Sequence, residues 1–222
     1  CNTTAARTME VFRRLGLADT VRASGLVDDY TTDVSFRTAV TGPEILRIEM
    51  PSRAERMGAD GRAAPGFPDS HWPTPEPVVR ISQVFLDPIL REAVIQHPGI
   101  AFHAETAFER YQDGPDGVRI ECRDSPNDSI VEYRARYVVG CDGGTSAVRK
   151  QMGVKLLGDA EISRTRSALI RSKTLKSLLQ GRPAWMTWTV SPEGNGVVVA
   201  IDGDELWLCL LYTSPSPRDA TR

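Results

Sequence analysis

The 222-residue sequence predicts an α/β fold with α+β character, in which a Rossmann-like portion is interleaved with an antiparallel-sheet domain. Three observations predict it. A short apolar run, Tyr137-Val138-Val139, breaks at Gly140, passes through Asp142-Gly143-Gly144 and enters a helix near Ser146. Apolar residues recur at helical spacing over residues 5–15 and again over 86–93. From residue 167 to 208, short alternating runs are separated by loops dense in turn residues.

Bulk composition narrows the class. An apolar content of 41% with 25% charged residues suits a globular domain with a real core. A formal charge of −2 argues against nucleic acid or an anionic membrane surface as the main partner. No apolar run approaches the ~20 residues that span a bilayer, and no basic segment followed by an apolar stretch opens the chain as a signal peptide. Cys1, Cys122, Cys141 and Cys209 form no CxxC pair, so reduced thiols and a cytoplasmic location are expected. His71, His97 and His103 lack ligand spacing, so no metal site is expected.

The elements follow in order. Residues 5–15 read as an amphipathic helix carrying Ala5, Met9, Phe12 and Leu15 on one face, with Gly16 placed to stop it. A second short helix covers 18–23. Residues 34–40 alternate, 41–44 turn and 45–50 resume, a hairpin. Residues 51–77, rich in Pro, Gly, Ser and charge, read as a long loop. Its His71 and Trp72 could line a site or simply sit at the surface. Leu86, Ile89, Leu90 and Ala93 fall at i, i+3, i+4 and i+7, a buried helix face, which puts Pro88 in the first turn.

Residues 100–104 and 118–122 alternate as strands, with a turn at 113–117. A second turn at 125–128 precedes a strand over 130–139. After the helix that follows Ser146, strands are expected at 167–171, 185–190, 196–201 and 205–208, the last three as a meander. Trp185, Trp188 and Trp207 are expected as core aromatics.

The strand–turn–helix around Asp142 is the segment with chemical content. Such a turn presents backbone N–H groups that can hold the anionic part of a dinucleotide. Gly143 and Gly144 remove the Cβ where backbone must approach a ligand. Asp142 offers an acceptor for a sugar hydroxyl, and Arg149 a cation one turn beyond Ser146. The same residues would also serve an ordinary connection with solubilising charges.

Val139-Gly-Cys-Asp-Gly-Gly-Thr-Ser-Ala-Val-Arg149 resembles the "DG motif" of the group A flavoprotein monooxygenases, the para-hydroxybenzoate hydroxylase family, whose pattern is D-G-x-x-S-x-V-R. Two further segments are similar to that family in the right order. Ala6-Arg-Thr-Met-Glu-Val-Phe-Arg-Arg-Leu-Gly-Leu17 matches the segment that runs along the cofactor, where Arg7 holds the place of an Arg reaching toward FAD. Arg80-Ile-Ser-Gln83 matches a segment whose Gln lies near the flavin. The resemblance implies Arg7, Gln83, Asp142, Gly143, Ser146 and Arg149 as cofactor-binding residues and names no catalytic residue. By the residues alone, Arg7 is a surface Arg on a helix N-terminus and Gln83 a helix-entry cap.

The resemblance assigns residues 1–28 and 78–160 to part of a FAD-binding domain, and 29–77 and 161–208 to part of a substrate-binding domain. No G-x-G-x-x-G occurs in the chain, and Gly158-Asp-Ala-Glu161 departs from the family's downstream G-D-A-A-H at its fourth position. The sequence is therefore expected to be a piece of the family's catalytic region lacking both ends. Residues 209–222 reverse-translate into a transposon-end sequencing adapter, and are expected to be adapter read-through outside the fold.

What the resemblance implies is a monooxygenase hydroxylating a small phenolic or aromatic substrate. FAD, O2 and NADH or NADPH would be consumed through a flavin C4a-hydroperoxide, with the cofactor carrying the chemistry. The alternatives are a flavin-dependent reductase or dehydrogenase of the same fold, and a non-catalytic piece that does not hold FAD.

Overall fold

The computed structural model describes residues 2–56, 74–158, 164–179, 181–192 and 194–213. In chain order the elements are α1 (Ala6–Arg14), α2 (Ala18–Ser24), β1 (Val34–Arg37), β2 (Glu44–Ile48), α3 (Arg53–Arg56) and α4 (Gln83–Gln96). There follow β3 (Thr106–Gly114), β4 (Gly117–Asp124), β5 (Ser129–Ala135), α5 (Ala147–Gln151) and β6 (Arg164–Arg171). The chain closes with α6 (Leu175–Leu178), β7 (Met186–Ser191), β8 (Gly194–Ala200) and β9 (Leu206–Thr213). The fold is mixed α/β with antiparallel sheets, the class the sequence predicts. Two compact units contain these elements: unit 1 is Cys1–Ala93 with Glu161–Arg222, and unit 2 is Val94–Ala160. The boundary at Val94 lies inside α4, so residues 78–93 group with the substrate-side segments rather than with 94–160.

In unit 1, α1 forms because Ala6, Met9 and Phe12 bury one stripe while Arg13 and Arg14 sit in the last turn, where cations favour the helix dipole. It ends in a Schellman pair. The Leu17 amide donates to the Phe12 carbonyl at 2.8 Å and the Gly16 amide to Arg13 at 3.1 Å, with Gly16 at φ +72°. Met9, Phe12, Ala18, Val21, Val79 and Ile81 make one core, and Leu86, Ile89 and Leu90 of α4 pack against it. The α4 face is thus half-buried rather than fully buried. Ser82 begins this helix by accepting at its carbonyl from the amides of Phe85 and Leu86. That early start makes Pro88 the sixth helical residue, not a first-turn one.

A six-stranded sheet in the order β2-β1-β7-β8-β9-β6 forms the rest of unit 1. All its pairings are antiparallel except β1 with β7. The hairpin expected over 34–50 is β1–β2, and the meander expected at the end is β7–β8–β9. Trp207, at 1% exposure, and Trp185 join Val197–Ile201, Leu26 and Tyr30 in the second core. β9 continues through Cys209 to Thr213, pairing with β6 as far as Arg164↔Thr213. Residues 209–213, expected outside the fold, are therefore strand; 214–222 lie outside the described residues.

Unit 2 is an antiparallel meander, β3-β4-β5, plus α5. The turn expected at 113–117 joins β3 to β4 with Gly114↔Gly117 as its last pair. Two expected strands are absent. Residues 100–104 are not a strand, and neither are Tyr137 to Val139, whose two flanking side chains are each 81% exposed. Apolar alternation makes a strand only where another strand accepts its hydrogen bonds; among the described residues none lies beside either segment.

Candidate functional site

Asp142 organises the turn that enters α5. Ser146 Oγ donates to its Oδ1 at 2.5 Å, and the amides of Ala147 and Val148 donate to Oδ2 at 2.6 and 3.2 Å. Ser146 is the N-cap residue, and its hydroxyl accepts from the Arg149 amide at 2.9 Å. The Ser146 hydrogen bond, more than the burial that opposes it, holds the Asp142 carboxyl below its usual range, and the backbone amides add to the effect. Arg149 spans the helix: one Nη donates to the Gly144 carbonyl and the other to Val154, both at 3.0 Å. Gln151 fastens α5 to the sheet, accepting from the Tyr111 amide at 3.0 Å and donating to its carbonyl at 2.6 Å.

The anion cradle expected at this helix start is thus already filled. Asp142 is tethered five residues from the amides it meets, so its effective concentration exceeds that of any free anion. An ionised carboxylate has about four acceptor sites, and three are used here. Gly143, at φ +76°, and Gly144 do offer an open approach: a Cβ at either position would meet nothing within 4 Å. Backbone at Gly143–Gly144 is what the turn presents outward, while Asp142, Ser146 and Arg149 hold its shape.

Arg7 and Gln83 belong to unit 1, whereas the other four residues singled out by the sequence belong to unit 2. Arg7 lies in the first turn of α1 with its side chain 90% exposed, and its one printed ion pair is the helical neighbour Glu10 at 3.5 Å. Gln83 is the exposed first residue of α4. Both are presented at helix starts, where a ligand can reach them. The residues fit a bound flavin in this sense: two long polar side chains and one bare backbone turn are accessible. His71 and Trp72 lie outside the described residues. Among the described residues, no group of three His, Cys, Asp or Glu could hold a metal ion.

One feature escaped the sequence. Trp185 and Trp207 are core, as expected, but Trp188 is half-buried and stands in a stacked row. Its ring stacks on Phe36 of β1 (centroids 6.3 Å, planes 16° apart) and on Tyr212 of β9 (5.8 Å, 18°). Register explains the row: Phe36 is opposite Trp188, Trp188 opposite Val197, and Val197 opposite Leu210, whose same-face neighbour is Tyr212. Alternation in each strand is legible in the sequence, but the pairing that aligns three distant aromatics is not. Near-parallel, partly exposed rings make a flat apolar surface suited to another aromatic ring.

A family model described as "FAD binding domain" matches residues 1–221. Among curated proteins, the FAD-dependent monooxygenase apdD of Emericella nidulans is 26% identical over 218 residues, covering 96% of this chain and 34% of that protein. The 2,4-dichlorophenol 6-monooxygenase of Delftia acidovorans is 26% identical over 214 residues, covering 93% and 34%. Among solved structures, the rebeccamycin biosynthetic enzyme RebC with reduced flavin matches at 29% identity and a TM-score of 0.81, covering 97% of this chain and 39% of that one. The chain therefore spans about a third of the length of these curated relatives.

Proposed function

The chain belongs to the FAD-binding-domain family, and from that membership we propose that it is part of an FAD-dependent monooxygenase that hydroxylates an aromatic substrate. The observation that carries the proposal is the family match across residues 1–221. It is supported by the names of relatives that act on a chlorophenol or carry the monooxygenase label. When bound, the flavin would supply the redox chemistry and the activation of O2, with NADH or NADPH as the reductant. The protein's part is to hold and to shield. Arg7 and Gln83 would contact the flavin by side chain, and Gly143–Gly144 by backbone. Asp142, Ser146 and Arg149 would keep that turn in shape. The Phe36–Trp188–Tyr212 row would stack on the substrate ring.

The test is reconstitution. Residues 1–222 are titrated with FAD, and NAD(P)H oxidation is followed with and without a phenol, with assay for hydroxylated product. Hydroxylated product in the full-length protein supports the proposal. NAD(P)H oxidation with no oxygenated product under any phenol would replace it with a flavin-dependent reductase. A second reading, a piece that binds FAD weakly or not at all by itself, is favoured by its span of about a third of its relatives. Flavin retained in stoichiometric amount through purification of residues 1–222 would exclude that reading.

A further inference from the structure

Tyr30, Arg53, Arg56 and Arg80 line one narrow crevice of unit 1, with Leu26, Val79 and Pro51 forming its apolar wall. Its free volume of about 20 Å³ is room for a single small group, since one water needs roughly 10–15 Å³. Two of its polar groups are under-satisfied. The Arg80 guanidinium has five N–H donors. Among the described residues, one bonds the Thr3 hydroxyl at 2.7 Å, and the group's face lies on the Trp185 ring at 3.8 Å. No carboxylate faces Arg80 among the described residues. The Tyr30 hydroxyl is buried and has no hydrogen-bond partner among them.

The electrostatics point the same way. Burial, and then the charge of Arg56, bring Arg80 down to about 10, and burial lowers Arg53 and Arg56 as well. Asp28 contacts Arg53 from the crevice's rim. Burial, with the charge of Asp202, pushes Tyr30 up to about 12, so its hydroxyl stays a donor at neutral pH. Desolvated cations without matching anions are costly, and an arriving oxyanion would relieve that cost through charge-assisted hydrogen bonds.

We propose that this crevice binds an oxyanion headgroup of the phosphate or carboxylate class, held by the Arg80 fork and the charges of Arg53 and Arg56. The space takes the anionic group alone, so any larger body attached to it would extend into solvent. Tyr30 supplies a further donor once the anion enters. The inference goes beyond the flavin proposal and does not rest on it, because it is read in flavin-free protein.

The experiment is isothermal titration calorimetry of residues 1–222 with inorganic phosphate, acetate and ADP at constant ionic strength. Saturable binding of phosphate or acetate to the wild type is expected, weakened at least tenfold in Arg80→Met. Binding of ADP with phosphate silent would mark a nucleotide phosphate as the source; phosphate binding equal to ADP would mark the headgroup alone. Tyr30→Phe, which keeps the ring in the core, is expected to weaken binding severalfold and serves if Arg80→Met does not fold. No saturable heat from any of the three anions, or equal affinity in Tyr30→Phe and Arg80→Met, would overturn the proposal. Failure of FAD to bind, by contrast, bears only on the flavin proposal.

Discussion

Replacing Arg47 by Met should destabilise unit 1 by about 3 kcal/mol. Arg47, on β2, uses all its donors. Nε and one Nη bond the Glu44 carboxylate at 3.1 and 2.8 Å, and the other Nη bonds Asp33 at 2.8 Å. The carbonyls of Pro183 and Arg182 accept at 3.1 and 2.8 Å. Asp33 is fully buried. Removing one partner of a buried pair costs roughly 3–5 kcal/mol. The lower end applies because Asp33 keeps the Met50 amide at 2.8 Å and Arg182 at 3.5 Å. Set against a typical stability of about 5–15 kcal/mol, that is a large loss.

The assay is urea unfolding followed by tryptophan fluorescence, because Trp72, Trp185, Trp188 and Trp207 all fall in unit 1. A pH series adds a second readout. Burial pushes Asp33 up, but the Met50 amide, Arg47, Thr31 and the charge of Arg182 bring it below its model value of 3.8. Hydrogen bonding from Arg47, against burial and with help from Ser35 and Arg37, lowers Glu44 from 4.5 to about 2. Both folded values lie below the unfolded ones. Their contribution is therefore complete above pH 4.5 and is lost as pH falls toward about 2. Arg47→Met should flatten that acid limb. A loss under about 1 kcal/mol with an unchanged acid limb would refute the reasoning.

Three further perturbations test the rest. Gln151→Ala removes both hydrogen bonds to Tyr111, so amide exchange in α5 should accelerate, with a local loss of about 1–2 kcal/mol; unchanged protection would mean α5 is held otherwise. Trp207→Phe leaves the Ser172 carbonyl without its 3.2 Å partner and opens a gap in the core, costing about 2–3 kcal/mol by circular-dichroism-monitored urea unfolding. If the aromatic row receives substrate, Trp188→Ala in the full-length protein should raise KM about 2- to 10-fold with little change in kcat, one stacked pair being worth roughly 0.5–1.5 kcal/mol; an unchanged KM would place the substrate elsewhere. For the turn, Asp142→Ala should weaken FAD binding or slow its reduction, and unaltered flavin content and reduction rate would remove it from the site.

Local chemistry was enough to read several elements directly. Gly16 follows the stripe Ala6, Met9, Phe12, and the helix ends there because the capping bonds need only neighbours in sequence. Turn residues at 113–117 produced their hairpin for the same reason. The motif at Val139–Arg149 identified the family, since its spacing is intrinsic to the chain. Where the sequence misled, a distant partner decided. Tyr137 to Val139 has strand composition, yet a strand exists only by pairing, and among the described residues nothing pairs with it. Asp142 reads as a ligand acceptor, but folding of the turn commits its oxygens to Ser146, Ala147 and Val148.

Within the sequence itself lay the fold class, most helices and turns, and the family, because propensity, periodicity and motif spacing act over a few residues. Tertiary structure alone aligned Phe36, Trp188 and Tyr212 through strand register. It also gathered Tyr30, Arg53, Arg56 and Arg80 around one crevice. Both sets draw residues from separate elements, and only the hydrogen-bond ladders and shared cores between those elements fix which side chains meet.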